Sequence, residues 1–442
     1  MLALAALFAT LPFVRPTVLH IGGAPAVLPD LALVAVWAFA GIAALRRRLA
    51  LRFDGLFVAT AAYVAVLALS AVTAEGSARG GLLKLAAYSL YLMLPWLTAC
   101  VVDDERDLAT VAMGFLLGAA AVVALELVGV AGFYAHVGAA RPLQCSTYGL
   151  LPSGAYPRMC VTFGTANMLA DFLILALAVL LGAEPMFPRA AGRTASSPVF
   201  FASLAALTLA ALLTLSAGFG GYVLTPVIVT WAWLRDAGRL TPARRLALVV
   251  VGAGACVFFL LTMISSFVPA GDGHLTIAGR DVRLFSGSRW SIWSSSLDTV
   301  RAHPWLGKGY GAHVATSDDP SVFLSPDQIK ALGGRSAGTA ELEAHDVWLN
   351  VAGQAGLVGL VAFVALMGVY ARRFTLWRAT GALPYLGVAL TAGFVASVFY
   401  HGIFSALEES RNLWGFIGLL VAAAAVRARA APVVAGRPSP GV

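Results

Sequence analysis

The chain has 442 residues, 60% hydrophobic and only 12% charged, with a mean hydropathy of +0.84 and a formal net charge of +8. So little charge excludes an ordinary soluble domain of this length, and continuous rather than alternating apolar runs exclude a β-barrel. The positive balance does not point to nucleic acid, because most arginines sit in short connections between apolar runs, where they set membrane topology.

Read in chain order, apolar runs long enough to cross a bilayer fall at about 2–20, 28–45, 54–74, 81–101, 107–133, 161–183, 198–216, 218–234, 246–268, 346–370, 383–405 and 411–427. They predict an all-α, polytopic membrane protein of about twelve transmembrane helices. Arg15-Pro16 interrupts the first run, which is expected to bend or to be partly re-entrant. That run lacks a basic leading segment and a small-residue cleavage site, so no cleavable signal peptide is expected. The seventh and eighth runs are split only by Ser216-Ala217-Gly218-Phe219-Gly220-Gly221.

With the N-terminus in the cytoplasm, the inside connections carry Arg46 to Arg48 with Arg52, then Arg189 and Arg193, then Arg235, Arg239, Arg244 and Arg245, then Arg372, Arg373 and Arg378. Arg427, Arg429 and Arg437 follow in the tail, so both termini are expected inside. The exception is the acidic 103–107, and acidic residues weigh little in this rule. The chain then divides into nine spans over 1–268 with a periplasmic loop near 134–160, a large periplasmic loop over 269–345 containing short helices, three spans over 346–430, and a disordered cytoplasmic tail over 431–442.

Within the large loop, Ser288 to Val300 reads as a helix with Trp290, Trp293 and Leu297 on one face, a pattern that favours the membrane interface. Ser317 to Gly338 reads as a surface excursion rich in Gly, Ser, Asp and Pro. Cys145 and Cys160 fall in or beside the shorter loop and could form a disulfide in an oxidising compartment, whereas Cys100 and Cys256 fall in spans as packing residues.

Arginines on the outer side run against the positive-inside bias, and Arg141, Arg158, Arg280, Arg283, Arg289, Arg301, Arg335 and Arg411 all fall there. A guanidinium keeps its charge and binds phosphate oxygens bidentately, so such a set suits a lipid diphosphate. Arg158 and Arg289 stand out because each abuts a span or an interface helix. His345, where the long loop enters the tenth span, could accept a proton from an attacking hydroxyl. His303 to His313 reads as a tight glycine-rich turn, and His136, His274 and His401 have no chemistry-bearing neighbours in sequence. No metal-binding spacing and no nucleotide-phosphate loop occur, so no metal and no cofactor are expected.

These residues assemble into a pattern that resembles the O-antigen ligase/O-antigen polymerase family. Arg158-Met159-Cys160-Val161-Thr162-Phe163-Gly164-Thr165-Ala166-Asn167, Gly287-Ser288-Arg289-Trp290 through Trp293, His303-Pro304-Trp305-Leu306-Gly307-Lys308-Gly309, and Ala344-His345-Asp346 followed by Gly356 and Gly359 are similar to four of its motifs, in the family's order. The chain departs from them where Ala217 replaces an arginine, Ala166 a proline and Asp346 an asparagine.

The resemblance implies a glycosyltransferase of the bacterial inner membrane with a GT-C-like fold and a periplasmic site. It would move a glycan from undecaprenyl pyrophosphate to a hydroxyl of lipid A-core or another saccharide acceptor. The donor is already activated, so transfer would be inverting and metal-independent, with membrane lipids and no nucleic acid as the remaining surroundings. His345 and Arg289 would be catalytic, Arg158, Arg289 and Arg411 would hold the pyrophosphate, and Trp290, Trp293, Tyr310 and Asn167 would contact glycan or lipid. A polymerase of the same family is the alternative. A twelve-span secondary transporter is a second one, disfavoured by the lack of similar halves and of acidic residues at mid-membrane.

Overall fold

The computed structural model describes residues 1–21, 24–74, 78–151, 154–187, 197–214, 216, 218–267, 274–277, 280–283, 288–317, 340–373, 383, 385–404 and 410–430; within these, the side chains of 21, 24–25, 146–151, 154–155, 262–267, 274–277, 280–283, 288–291, 317, 340–342, 401–404 and 430 are not described. The expected excursion at 318–338 and the tail after 430 lie outside these residues.

Among the described residues there are fourteen α-helices and four two-stranded antiparallel hairpins. In chain order they are α1 Leu2–Thr10, β1 Leu19–Ile21, β2 Ala24–Ala26, α2 Leu28–Leu45, α3 Gly55–Val72, α4 Ala78–Leu92, α5 Leu94–Val101, α6 Glu105–Tyr134, β3 Gln144–Leu151, β4 Gly154–Met159, α7 Ala166–Gly182, α8 Pro198–Leu213 and α9 Phe219–Asp236. There follow α10 Pro242–Phe267, β5 His274–Ile277, β6 Arg280–Arg283, α11 Ser288–Ala302, β7 Ala315–Ser317, β8 Ala340–Leu342, α12 Val347–Arg373, α13 Leu386–Phe404 and α14 Arg411–Ala430. Seven helical segments are long and apolar enough to cross a membrane, α4 and α5 counting as one, and α7, α8 and α13 supply three shorter apolar segments. The protein is an all-α polytopic membrane protein.

The helices match the expected spans closely except at the first. There α1 stops at Thr10, whose hydroxyl turns back to Leu7 O at 2.8 Å, and Pro12 and Pro16 downstream cannot extend the hydrogen-bond ladder. The rest of that run goes into the β1–β2 hairpin.

Helix α7 past its first turn is apolar apart from Asp171 and buried on every side, as a largely hydrophobic helix must be in a protein interior. It packs on α6, α8, α9 and α13, and α14, likewise buried along most of its length, closes the core against α5. Helix α10 is the opposite: Leu246, Val250 and Leu261 are each at least 60% exposed, a face that fits lipid rather than water. Cys256 lies on this helix and is exposed, so it does not pack in the core as its place in a span suggested.

Alternation of the helices puts the β3–β4 hairpin, α11 and the starts of α7, α12 and α14 at one end of the bundle, here the hairpin end. The opposite end is fastened by side chains. Arg373 at the end of α12 pairs with Asp54, which also caps α3. Arg429 near the end of α14 pairs with Asp103 at 2.9 Å and donates to Ala99 O and Val102 O, the carbonyls that α5 leaves open at its C-terminus. The acidic exception at 103–107 thus has a structural reason. Asp104 caps α6 by accepting from Arg106 N and Asp107 N, and Glu105 and Asp107 lie in the first turn, where the helix dipole favours negative charge.

Candidate functional site at the hairpin end

The hairpin β3–β4 carries Arg158 into the bundle. Cys145 and Cys160 are joined by a disulfide with Cα atoms 5.5 Å apart, and Cys160 N and Val161 N both donate to Leu143 O, so the chain is fixed just past the arginine. Arg158 Nε donates to Thr214 O at 3.3 Å, just past the end of α8, and Tyr156 OH, two residues earlier, donates to Leu213 O at 2.7 Å. Both carbonyls belong to the set that a helix C-terminus leaves unsatisfied, and a cation is favoured there. Burial, with Glu126 and Tyr134 nearby, pushes the Tyr156 phenol up to about 12, so it stays a donor across the physiological range.

Arg158 Nη2 also donates to Asn167 Oδ1 at 2.8 Å. Asn167 is the second residue of α7, whose start is set by Thr165, the N-cap that accepts from Met168 N. Ala166 is therefore the first helical residue, the position at which proline is best tolerated, which accounts for the substitution of proline there without loss of the helix start. The chain of contacts continues: Ser216 Oγ donates to Asn167 Oδ1 at 3.0 Å, and the Tyr400 hydroxyl lies 3.0 Å from Ser216 Oγ. One turn further along α7, buried Asp171 accepts from Ser397 Oγ at 2.6 Å, a direct polar link from α7 to α13 beside the one that runs through Ser216, and it puts an acidic group inside a span where the sequence reading expects none.

A second assembly positions His345. Helix α12 is broken at Gly356 (φ 67°, ψ −170°), which strands carbonyls on one side of the break and N–H groups on the other. The turn 304–309 fills the gap reciprocally: Lys308 N and Gly309 N donate to Gly353 O and Gln354 O, while Leu357 N and Val358 N donate to Pro304 O and Trp305 O. A Cβ on Gly356 would sit 2.2 Å from the Trp305 carbonyl carbon, and one on Gly307 2.3 Å from that of Gln354, so both positions require glycine. Ser70 Oγ on α3 donates to Gln354 O as well, and Gln354 Oε1 accepts from Gly311 N. Because α11 is held to β7 and the residue before it through Ser295 and Thr299, the interlock ties α11 to the helix that follows His345.

His345 itself is half-buried and adopts φ 49°, a left-handed conformation uncommon outside glycine. Asp346 next to it accepts from Leu349 N at 2.8 Å and so caps α12. Asn and Asp fill that role equally well, which explains how aspartate can stand there.

The structure thus brings Arg158 and Asn167 into direct contact and places His345 at the start of a separately anchored helix. Arg411, at the start of α14, is held by Asp30 at 2.9 Å, Asp30 also accepts from Tyr91 OH at 2.7 Å, and the guanidinium lies over the Tyr91 ring. Its charge is met by a carboxylate of the protein rather than left for a diphosphate alone. Tyr310 is buried and stacks on Tyr88, so its ring packs against protein. Among the described side chains of α11, Ile292 and Ser296 are buried, Trp293 is half-buried and Leu297 is exposed. Arg289 and Trp290 lie in the first turn of α11, and their side chains are outside the described residues, as is Ala217.

Sequence reasoning did not find Ser216, Tyr400, Tyr156 or Asp30. It also passed over Arg15, whose Nη2 lies against Gly164 beside the Arg158 segment. In the sequence Arg15 shows only as a charge interrupting an apolar run, which signals a break in a helix and not the place of its side chain.

Residues 201–364 match the family model described as O-antigen ligase. That stretch of the chain is similar to the O-antigen ligase family. The matched stretch takes in Ser216, α11, the glycine interlock and His345, while Arg158, Asn167, Tyr400 and Arg411 lie outside it. No curated protein matches the chain significantly.

Proposed function

We propose that this protein is a member of the O-antigen ligase family and a glycosyltransferase of the bacterial inner membrane. It moves a glycan from undecaprenyl pyrophosphate to a hydroxyl of lipid A-core at the periplasmic face. The observation that carries the reading is the clamp on Arg158, a guanidinium fixed by Asn167 and by a helix C-terminus at the same end of the bundle as His345, in a chain similar to the O-antigen ligase family over 201–364. A cation held in advance where charge develops stabilises a departing diphosphate without reorganising.

In the reaction the acceptor oxygen forms a bond to the anomeric carbon as the bond from that carbon to the diphosphate oxygen breaks, and the electron pair leaves on the diphosphate. The acceptor proton passes to His345. Attack opposite the leaving group inverts the anomeric centre. Arg158 and Arg289 bind the diphosphate, and Asn167 and Ser216 orient Arg158. Trp290 and Trp293 on α11 border the glycan or the lipid. The metal-free reading is supported by this use of guanidinium groups for the charge that a divalent ion would otherwise neutralise.

A lipopolysaccharide gel of a deletion strain tests the reading. The expected result is core without long chains, with lipid-linked polymer accumulating. Core bearing a single repeat would mean a polymerase, and an unchanged ladder would dismiss the proposal.

A further inference from the structure

Arg15 is an exposed cation brought to the hairpin end by a buried anchor. Thr162 Oγ1, buried, donates to Pro12 O at 2.6 Å, and this bond ties the chain after α1 to the stretch between Arg158 and α7. Leu11 fills the space over Gly415 on α14, and Pro12 lies against Gly118 on α6, so the backbone just ahead of Arg15 is wedged among α6, α14 and the lead-in to α7. From there the guanidinium reaches Gly164: its Nη2 would lie 3.7 Å from a Cβ built on that glycine, so the group rests against bare backbone. Gly164 directly precedes Thr165, the cap of α7, and the first turn of that helix carries Asn167, which holds Arg158. Other arginines of this end are engaged: Arg158 spends Nε and Nη2 on the protein, Arg411 is met by Asp30 and Arg301 by Asp298. Arg15 pairs with no carboxylate among the described residues. Local stability does not explain its place, because beside the start of α7 a cation works against the helix dipole, and on the proposed periplasmic side it runs against the positive-inside bias. A guanidinium fixed there without a counter-charge suits an anion that arrives with a ligand.

We infer that Arg15 is a substrate-binding residue that makes an outer phosphate position beside the one given to Arg158. The inference rests on the transferase reading of the site. Arg158 is half-buried and held on two sides, whereas Arg15 is exposed at the rim, so a phosphate meets Arg15 first as a substrate enters. That phosphate is carried either by the saccharide acceptor or by the donor lipid. The two share the chemistry that a planar guanidinium recognises.

The full-length protein in phosphatidylcholine nanodiscs, as wild type, Arg15→Lys and Arg15→Gln, is titrated with two probes. One is a short polyprenyl diphosphate and the other a lipid A disaccharide bisphosphate, each run beside its phosphate-free form. Expected is that one phosphorylated probe binds the wild type about tenfold more tightly than Arg15→Gln, the scale of one charge-assisted contact, with Arg15→Lys between them. Binding of the phosphate-free forms should be the same in all three proteins. The probe that responds names the source, the diphosphate marking the donor and the bisphosphate the acceptor. In transfer assays Arg15→Gln should raise KM for that substrate and leave kcat nearly unchanged, as loss of uniform binding does. Equal affinity of the three proteins for both probes, or an equal loss for the phosphate-free forms, would overturn the inference. So would a fall in thermal stability that Arg15→Lys does not restore, which marks a structural role, or equal displacement by phosphatidylglycerol, which marks a site for bulk phospholipid. Glycan transfer measured alongside separates the two claims. Transfer with the same KM values in wild type and Arg15→Gln overturns the phosphate position and leaves the transferase reading. Binding that depends on Arg15, in a wild type that transfers no glycan, overturns the reading of the reaction and leaves the phosphate position.

Discussion

Arg158 is gripped through two of its nitrogens, by a carbonyl at the end of α8 and by the amide of Asn167, which requires a planar fork that an ammonium group lacks. Arg158→Lys should therefore lower transfer by about 10²–10³-fold, the usual effect of removing a preorganised donor, with normal membrane levels; activity near wild type would show that the grip is structural only. Ala166→Pro should be neutral or stabilising by about 0.4–1 kcal/mol, because the first helical position needs no N–H, and a thermal unfolding curve in detergent checks it. At this scale Arg158 and Asn167 were legible because they lie close in sequence, either side of a cap. Ser216, Tyr400 and Asp30 were not, because Tyr400 lies 184 residues from Ser216 and Asp30 lies 381 from Arg411. Local pattern carries no signal for such partners. Arg411 illustrates the converse: its position on the outer side was legible, but the carboxylate that meets its charge was not.

Among the elements, the broken helix α12 and the turn 304–309 act as one piece. Sequence shows each as a glycine-bearing segment, but that the orphaned groups of the break are satisfied by the turn is visible only in three dimensions. Gly356→Ala meets both a positive φ and the Trp305 carbonyl, so it should destabilise by at least about 1–3 kcal/mol and lower the yield of monodisperse protein in size-exclusion chromatography. An unchanged profile would mean that the interlock is not needed for folding. At the other end of the same helix, burial alone would raise the Asp54 carboxyl, but the hydrogen bond and charge of Arg373 and the N–H groups of Phe57 and Leu56 outweigh it and hold it below its ordinary value. A carboxyl lowered by folding contributes stability above its unfolded value, and that contribution is lost as pH falls through the folded one. Thermal stability should thus drop on acidification, and Asp54→Asn should flatten that part of the profile; the same slope in both proteins would count against the pair. The first span fell short of its expectation because apolar composition reports what can enter a membrane, whereas Pro12 and Pro16 decide where helical hydrogen bonding can continue.

For the molecule as a whole, the membrane class and the order of helices were readable because so many long apolar runs leave few other solutions. Which helices are central was not readable from composition: α8 and α10 are as strongly apolar as parts of the core, yet α7 and α14 occupy the middle while α10 presents its apolar face outward. The proposed site is at the hairpin end, where segments from both halves of the chain meet. The most direct measurement is glycan transfer by the purified protein in nanodiscs, supplied with an undecaprenyl-pyrophosphate-linked glycan and lipid A-core as the only acceptor. The account predicts a glycan-bearing core with an inverted anomeric centre, formed by the wild type and lost by about 10²–10⁴-fold in His345→Ala. A donor left intact by well-folded wild-type protein, or a product formed equally well without His345, would contradict it.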